Sequence, residues 1–154
     1  MSDDGQRGFT LLEMVCVLAI LAMLVTVLLP SVPRQTSKAR LQAYALEAAS
    51  ILKADRAVSL RSGVRVDTEI DTSGRSIRSG AGSAAVRVPD DVAFEAVLPR
   101  NCNQRPVFST ISFFPDGLSC GGAIAIARAD LRLEIRINWL TGRVDIVSRS
   151  LANG

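Results

Sequence analysis

The strongest pattern in the chain is a run of apolar residues from Phe9 to Leu29, FTLLEMVCVLAILAMLVTVLL, in which Glu13 is the only charge. A helix of about 20 residues spans the roughly 30 Å hydrocarbon core of a bilayer, so residues 9–30 are predicted to form a transmembrane helix. The run exceeds the apolar core of a secretory signal, about 7–15 residues, and Leu28-Leu29-Pro30-Ser31 offers no small-residue cleavage site after it. The anchor is therefore expected to be retained. Arg7 sits just before the run, and positive charge beside a span stays cytoplasmic, which puts the bulk of the chain on the far side.

Beyond Pro30 and Pro33 the pattern turns amphipathic. Leu41, Tyr44, Ala45, Ala48, Ile51, Leu52 and Val58 recur at three- and four-residue steps, with Lys38, Arg40, Gln42, Glu47, Lys53 and Arg56 filling much of the remainder. Gly63 supplies a stop. The spacing predicts one long helix whose amphipathic extension covers 31–62 and lies on a globular head. After Gly63 the period shortens to two. Strands are predicted at 64–70, 84–88, 92–98, 111–114 and 123–127, with turns at Ser73-Gly74 and Pro115-Asp116-Gly117. The strictest alternation is Leu131-Arg132-Leu133-Glu134-Ile135-Arg136-Ile137, one face apolar and the other charged. Thr141-Gly142 turns it into Arg143–Val147, predicting an antiparallel hairpin, and Ser148–Gly154 is expected to fray.

At 154 residues the chain holds an anchor and one domain. It has no histidine, which removes the commonest general base and metal ligand and any Ser-His-Asp or Cys-His site. No nucleophile–base pair stands out, so no catalytic residue, cofactor or metal is expected; Asp116 alone is far short of a calcium site. The net charge is +3 and the arginines are interleaved with acids, a balance that does not favour nucleic acid. Arg132, Arg136 and Arg143 could share a sheet face, but Glu134 and Asp145 would share it with them. Glu13 is costly inside an apolar segment, by about 2.5–3.5 kcal/mol at mid-membrane. Either it reaches the interface or it has a partner cation.

The string Arg7-Gly8-Phe9-Thr10-Leu11-Leu12-Glu13-Met14 resembles the class III signal of type IV pilins and type II secretion pseudopilins. The resemblance implies a leader of residues 1–8, cleavage after Gly8 by a prepilin peptidase that also N-methylates Phe9, and a role in assembly for Glu13. The new Phe9 amine of one subunit could then pair with Glu13 of a neighbour, each charge relieving the other's desolvation. The stretch Phe114-Pro115-Asp116-Gly117-Leu118-Ser119-Cys120-Gly121-Gly122, followed by Thr141-Gly142-Arg143-Val144, resembles the H-type minor pseudopilins (GspH) and the related FimT minor pilins. This implies an α+β, pilin-like fold: a long N-terminal helix on an antiparallel β head of two sheets, the head covering 63–148 and a tail 149–154. It also implies a single-pass inner-membrane protein with a periplasmic head near a filament tip. Its partners would be other major and minor pseudopilins and an inner-membrane assembly platform, and its role structural support of protein export. A FimT-like minor pilin binding DNA during uptake is the alternative. Cys16 lies in the apolar run and reads as a small apolar residue. Cys102 and Cys120 would stand in the oxidising periplasm and suggest one disulfide, two separate buried thiols being the alternative.

Overall fold

The computed structural model describes residues 9–28 and 35–150. They divide into two compact units, the first ending at Arg34 and the second starting at Gln35. Helix α1 runs Leu11–Leu28. Among the described residues no helix is long and apolar enough to cross a membrane; the predicted span of 9–30 includes positions outside them.

The second unit opens with helix α2, Lys38–Ser62, about 38 Å long at 1.5 Å per residue. Its start corrects the expectation of one continuous helix over 31–62. Ser37 is extended, with φ −73° and ψ 162°, and its hydroxyl accepts the Arg40 N–H as an N-cap. The Thr36 N–H is given to the Asp91 carboxylate at 2.7 Å, so the backbone here is held by a loop of the head rather than by a preceding helical turn. At the other end Gly63, in the left-handed region at φ 69°, returns its N–H to Ser59 O.

Ten strands follow: β1 Val66–Asp71, β2 Ser76–Arg78, β3 Ala85–Arg87, β4 Ala93–Val97, β5 Asn101–Cys102, β6 Arg105–Pro106, β7 Thr110–Phe113, β8 Gly122–Arg128, β9 Leu131–Ile137 and β10 Val144–Ser150. They form two four-stranded antiparallel sheets, β3-β2-β1-β7 and β10-β9-β8-β4, and a small hairpin β5-β6. The short strands β2, β5 and β6 were not predicted, because two or three residues are too few to show alternation. The tail also needs correction. β10 continues to Ser150, where Ser148, Arg149 and Ser150 lie opposite Leu133, Arg132 and Leu131. Pairing along the whole of β9 orders a polar sequence that has no apolar pattern of its own.

Helix α2 lies over both sheets. Ala48, Ala49, Ile51 and Leu52 meet Ile70, Ile77, Ile111 and Phe113 of the first sheet and Ile124, Ile135, Ile137 and Val144 of the second. Leu41 and Ala45 close a neighbouring cluster with Val88, Val92, Ile126 and Leu133. The alanines let the helix approach closely, and Leu133, Ile135 and Ile137 are buried in the alternation the sequence predicted.

Candidate assembly site

Helix α1 is apolar all round. Every large apolar side chain from Leu11 to Leu24 is at least 48% exposed in the isolated chain, a surface suited to lipid or to other apolar helices. Phe9 is exposed as well. Thr10 begins the helix: its carbonyl accepts the N–H groups of Glu13 (3.0 Å) and Met14 (3.3 Å), and its hydroxyl accepts the Glu13 N–H at 3.3 Å. Thr10-Leu11-Leu12-Glu13 therefore has capping-box spacing, which sequence reasoning missed. Glu13 lies in the first turn, where the helix N-terminus favours a negative charge. Among the described residues its carboxylate has no cation within ion-pair distance. Gly8 lies outside the described residues.

The head buries one acid that the sequence reading passed over. Asp55 on α2 is fully buried. It accepts Thr68 Oγ1 at 2.6 Å, Ser79 Oγ, and the backbone N–H groups of Gly80 (3.0 Å) and Ala81 (3.4 Å). Gly80 is required by this approach, since a Cβ there would fall 2.1 Å from Asp67 O. The available signal was an acid three and four places from Leu52 and Ile51, on the apolar face.

A second knot holds the entrance to α2. Thr36 also donates its hydroxyl to Asp91 at 2.8 Å. Arg128 pairs with Asp91 at 3.2 Å, with Gln35 Oε1 at 3.0 Å and with the Thr36 carbonyl. The Thr36 N–H and hydroxyl, aided by the Arg128 charge, hold the Asp91 carboxyl below its ordinary range. Lys38 does the same to Asp130, and Arg136 to Glu134.

Three arginines on or beside the second sheet are matched by acids: Arg132 with Glu95 at 2.9 Å, Arg136 with Glu134 at 2.9 Å and Arg143 with Asp145 at 3.0 Å. The Pro115-Asp116-Gly117 turn forms as predicted, with Gly117 at φ 87° and Asp116 Oδ1 accepting the Leu118 N–H at 3.0 Å. Cys102 and Cys120 are joined in a disulfide, their Cα atoms 5.5 Å apart, while Cys16 is free and exposed. Among the described residues no cluster of acids, cysteines or histidines could hold a metal ion.

Residues 3–29 match the prokaryotic N-terminal methylation motif. The type II secretion system protein H of Xanthomonas campestris pv. campestris is 27% identical over 138 residues, covering 90% of this chain and 81% of that protein. Among solved structures, the minor pseudopilin EpsH of the Vibrio cholerae type 2 secretion system aligns with a TM-score of 0.54 at 11% identity, over 74% of this chain and 98% of its own. By sequence the chain is similar to a type II secretion protein H, and by fold to minor pilins and pseudopilins. The type IV minor pilin FimU of Pseudomonas aeruginosa shares the fold too, with a TM-score of 0.52 at 14% identity, over 75% of this chain and 98% of its own. At such identities both structures speak to the fold alone; the secretion-system protein H is matched by sequence along most of this chain.

Proposed function

We propose that this pilin is a minor pseudopilin, a structural subunit of a type II secretion pseudopilus placed at or near the filament tip, where it supports protein export. The single observation that carries the reading is the coexistence, in one chain, of the N-terminal methylation motif and a head matched by a type II secretion protein H. A prepilin peptidase cuts after Gly8 and the exposed Phe9 amine is N-methylated. The helix that follows is anchored in the inner membrane with its N-terminus cytoplasmic and its head periplasmic. Its uncovered apolar surface seats against lipid and then against the helices of other pseudopilins, delivered by the inner-membrane assembly platform.

Glu13 sets the register. A cationic amine lies about four residues, or about 6 Å of helix rise, ahead of it, and the amine of one subunit neutralises Glu13 of the next. In the apolar filament core an unmatched charge costs more than a mismatched contact, so the pair selects one stagger between helices. The chain's work is assembly, and it carries out no reaction of its own.

The DNA-uptake alternative shares the fold of FimU but loses its chemical support, since Arg132, Arg136 and Arg143 are each paired with an acid. The deciding experiment is mass spectrometry of the chain's N-terminus, isolated from its native host. It should begin at N-methylated Phe9 and persist so in membranes. Material that still begins at Met1, with no trimmed form, overturns the reading.

A further inference from the structure

The hairpin β5-β6 extends beyond its two short strands. Cys102 lies opposite Arg105 and Asn101 opposite Pro106, and the Val107 N–H donates to Arg100 O at 2.9 Å. Its two-residue turn, Asn103-Gln104, has both φ values positive, 51° and 62°, as the hairpin turn matching strand twist requires. The disulfide from Cys102 to Cys120 fixes this hairpin to the head. Directly opposed side chains leave a ladder on one face, so Arg105 shares the face of Cys102. Cys102 is buried and Arg105 is exposed.

Beside the hairpin lies a cleft of about 510 Å³ lined by Arg65, Asn103, Gln104, Arg105 and Phe114. No carboxylate lines it, and the sequence from Ala96 to Pro115 contains no acid. Arg65 is held in place before any partner arrives. Its Nε pairs with Asp67 at 2.6 Å, its Nη2 donates to Ser112 Oγ at 2.9 Å, and its guanidinium sits 5.7 Å from the centre of the Phe114 ring. Arg105 has no acid within ion-pair distance among the described residues. Nearby in sequence, Phe108 is 79% exposed.

We propose that this cleft receives an acidic segment of a partner protein, a glutamate or aspartate carboxylate seating between Arg65 and Arg105. Arg105, which has no acid of its own among the described residues, is the main charge-assisted donor, helped by the N–H groups of Arg65 left over from its bonds to Asp67 and Ser112, and the amides of Asn103 and Gln104 can engage the partner's backbone. Nucleic acid fits less well: the aromatic among the lining residues, Phe114, has one face covered by Arg65. The inference is separate from the filament reading, because binding is measured on the isolated chain and its failure leaves processing and assembly untouched.

The test uses the full chain in detergent micelles and a fluorescein-labelled hexaglutamate peptide, followed by anisotropy at fixed salt. Hexaglutamate should bind where hexaglutamine does not. Arg105→Gln should weaken binding about tenfold, the scale of one lost charge-assisted bond. Arg105→Lys should weaken it less, and Arg87→Gln, an equal change of net charge on β3, less than twofold. Equal losses in Arg105→Gln and Arg87→Gln would reduce the effect to overall charge and overturn the site. So would hexathymidylate or inorganic phosphate competing as well as hexaglutamate with the same dependence on Arg105, or no binding of hexaglutamate at all.

Discussion

The two helices of this chain each carry a distinctive acid, and the contrast between them separates what the chain needs from other molecules from what it supplies itself. Helix α1 leaves its apolar side chains uncovered, and Glu13 has no cation partner among the described residues. Helix α2 buries one face against two sheets, and Asp55 on that face collects four hydrogen bonds from within the head. An acid in an incomplete environment is a demand on another molecule. An acid in a completed one is a bolt. The same residue chemistry therefore predicts opposite phenotypes at the two positions.

Glu13→Ala should produce the larger functional loss. The chain should no longer co-sediment with the other pseudopilins in sheared filament fractions, while N-terminal cleavage continues and the unfolding free energy of the head in urea stays within about 0.5 kcal/mol of the parent, as for a surface change. Normal co-sedimentation would show that α1 packs by apolar contact alone and would dissolve the contrast. Asp55→Ala should do the reverse. It strips acceptors from the buried Thr68 hydroxyl and from Ser79 and the Gly80 and Ala81 N–H groups at the edge of the core, and a buried donor left unsatisfied costs about 1–3 kcal/mol. A loss on the order of 3 kcal/mol in denaturant unfolding is expected, with processing at the N-terminus unaltered. Asp55→Asn, which keeps one acceptor, should fall between. A variant as stable as the parent would mean that water replaces the carboxylate and that the loop 79–82 needs no bolt.

The two acids also differ in how legible they are. Glu13 is visible because it interrupts 21 otherwise uncharged positions, so its cost is plain from the order of residues alone. Asp55 stands between Lys53 and Arg56 and looks like one more charge on a solvated face. Only the arrival of the Ser79–Gly82 loop shows that it points inward, and that arrival is set by packing between segments distant in sequence. The hairpin β9-β10 was readable for the same reason as Glu13: seven alternating residues repeat one signal. β2, the β5-β6 hairpin and the end of β10 are held by partners rather than by pattern, whereas the Cys102–Cys120 disulfide was legible from two cysteines in a head expected to be periplasmic. The break before α2 is not legible because the amphipathic positions begin only at Leu41 and nothing in the pattern marks where the helix starts, while the cap at Ser37 and the acceptor at Asp91 act locally.

That break gives a smaller test. Ser37→Ala removes the hydroxyl that accepts the Arg40 N–H and should cost about 1 kcal/mol, the usual scale of an N-cap. The loss should appear in head unfolding and leave α1-dependent assembly intact. A variant in which assembly fails while the head stays stable would show that residues 35–37 serve the filament rather than the fold.

The smallest expected effect lies at the same junction and depends on pH. Hydrogen bonds from Thr36, with help from Arg128, hold the Asp91 carboxyl below its ordinary value. A carboxyl depressed in the folded state adds stability above its unfolded value, and that contribution is lost as pH falls through the folded one. The stabilisation from Asp91 should therefore be constant from pH 8 to 5 and fade below about pH 4. Asp130 and Glu134 are shifted the same way by Lys38 and Arg136, so a single acid-unfolding curve mixes three groups. Comparing the parent with Asp91→Asn isolates one of them: the gap between the two curves should narrow in that acid window and nowhere above it. Asp91 is partly exposed, which keeps the gap small and makes it shrink in high salt. A gap that persisted unchanged to pH 2 would mean that the Asn amide loses packing or hydrogen-bond geometry rather than charge, and that α2 is fixed at its entrance by shape alone.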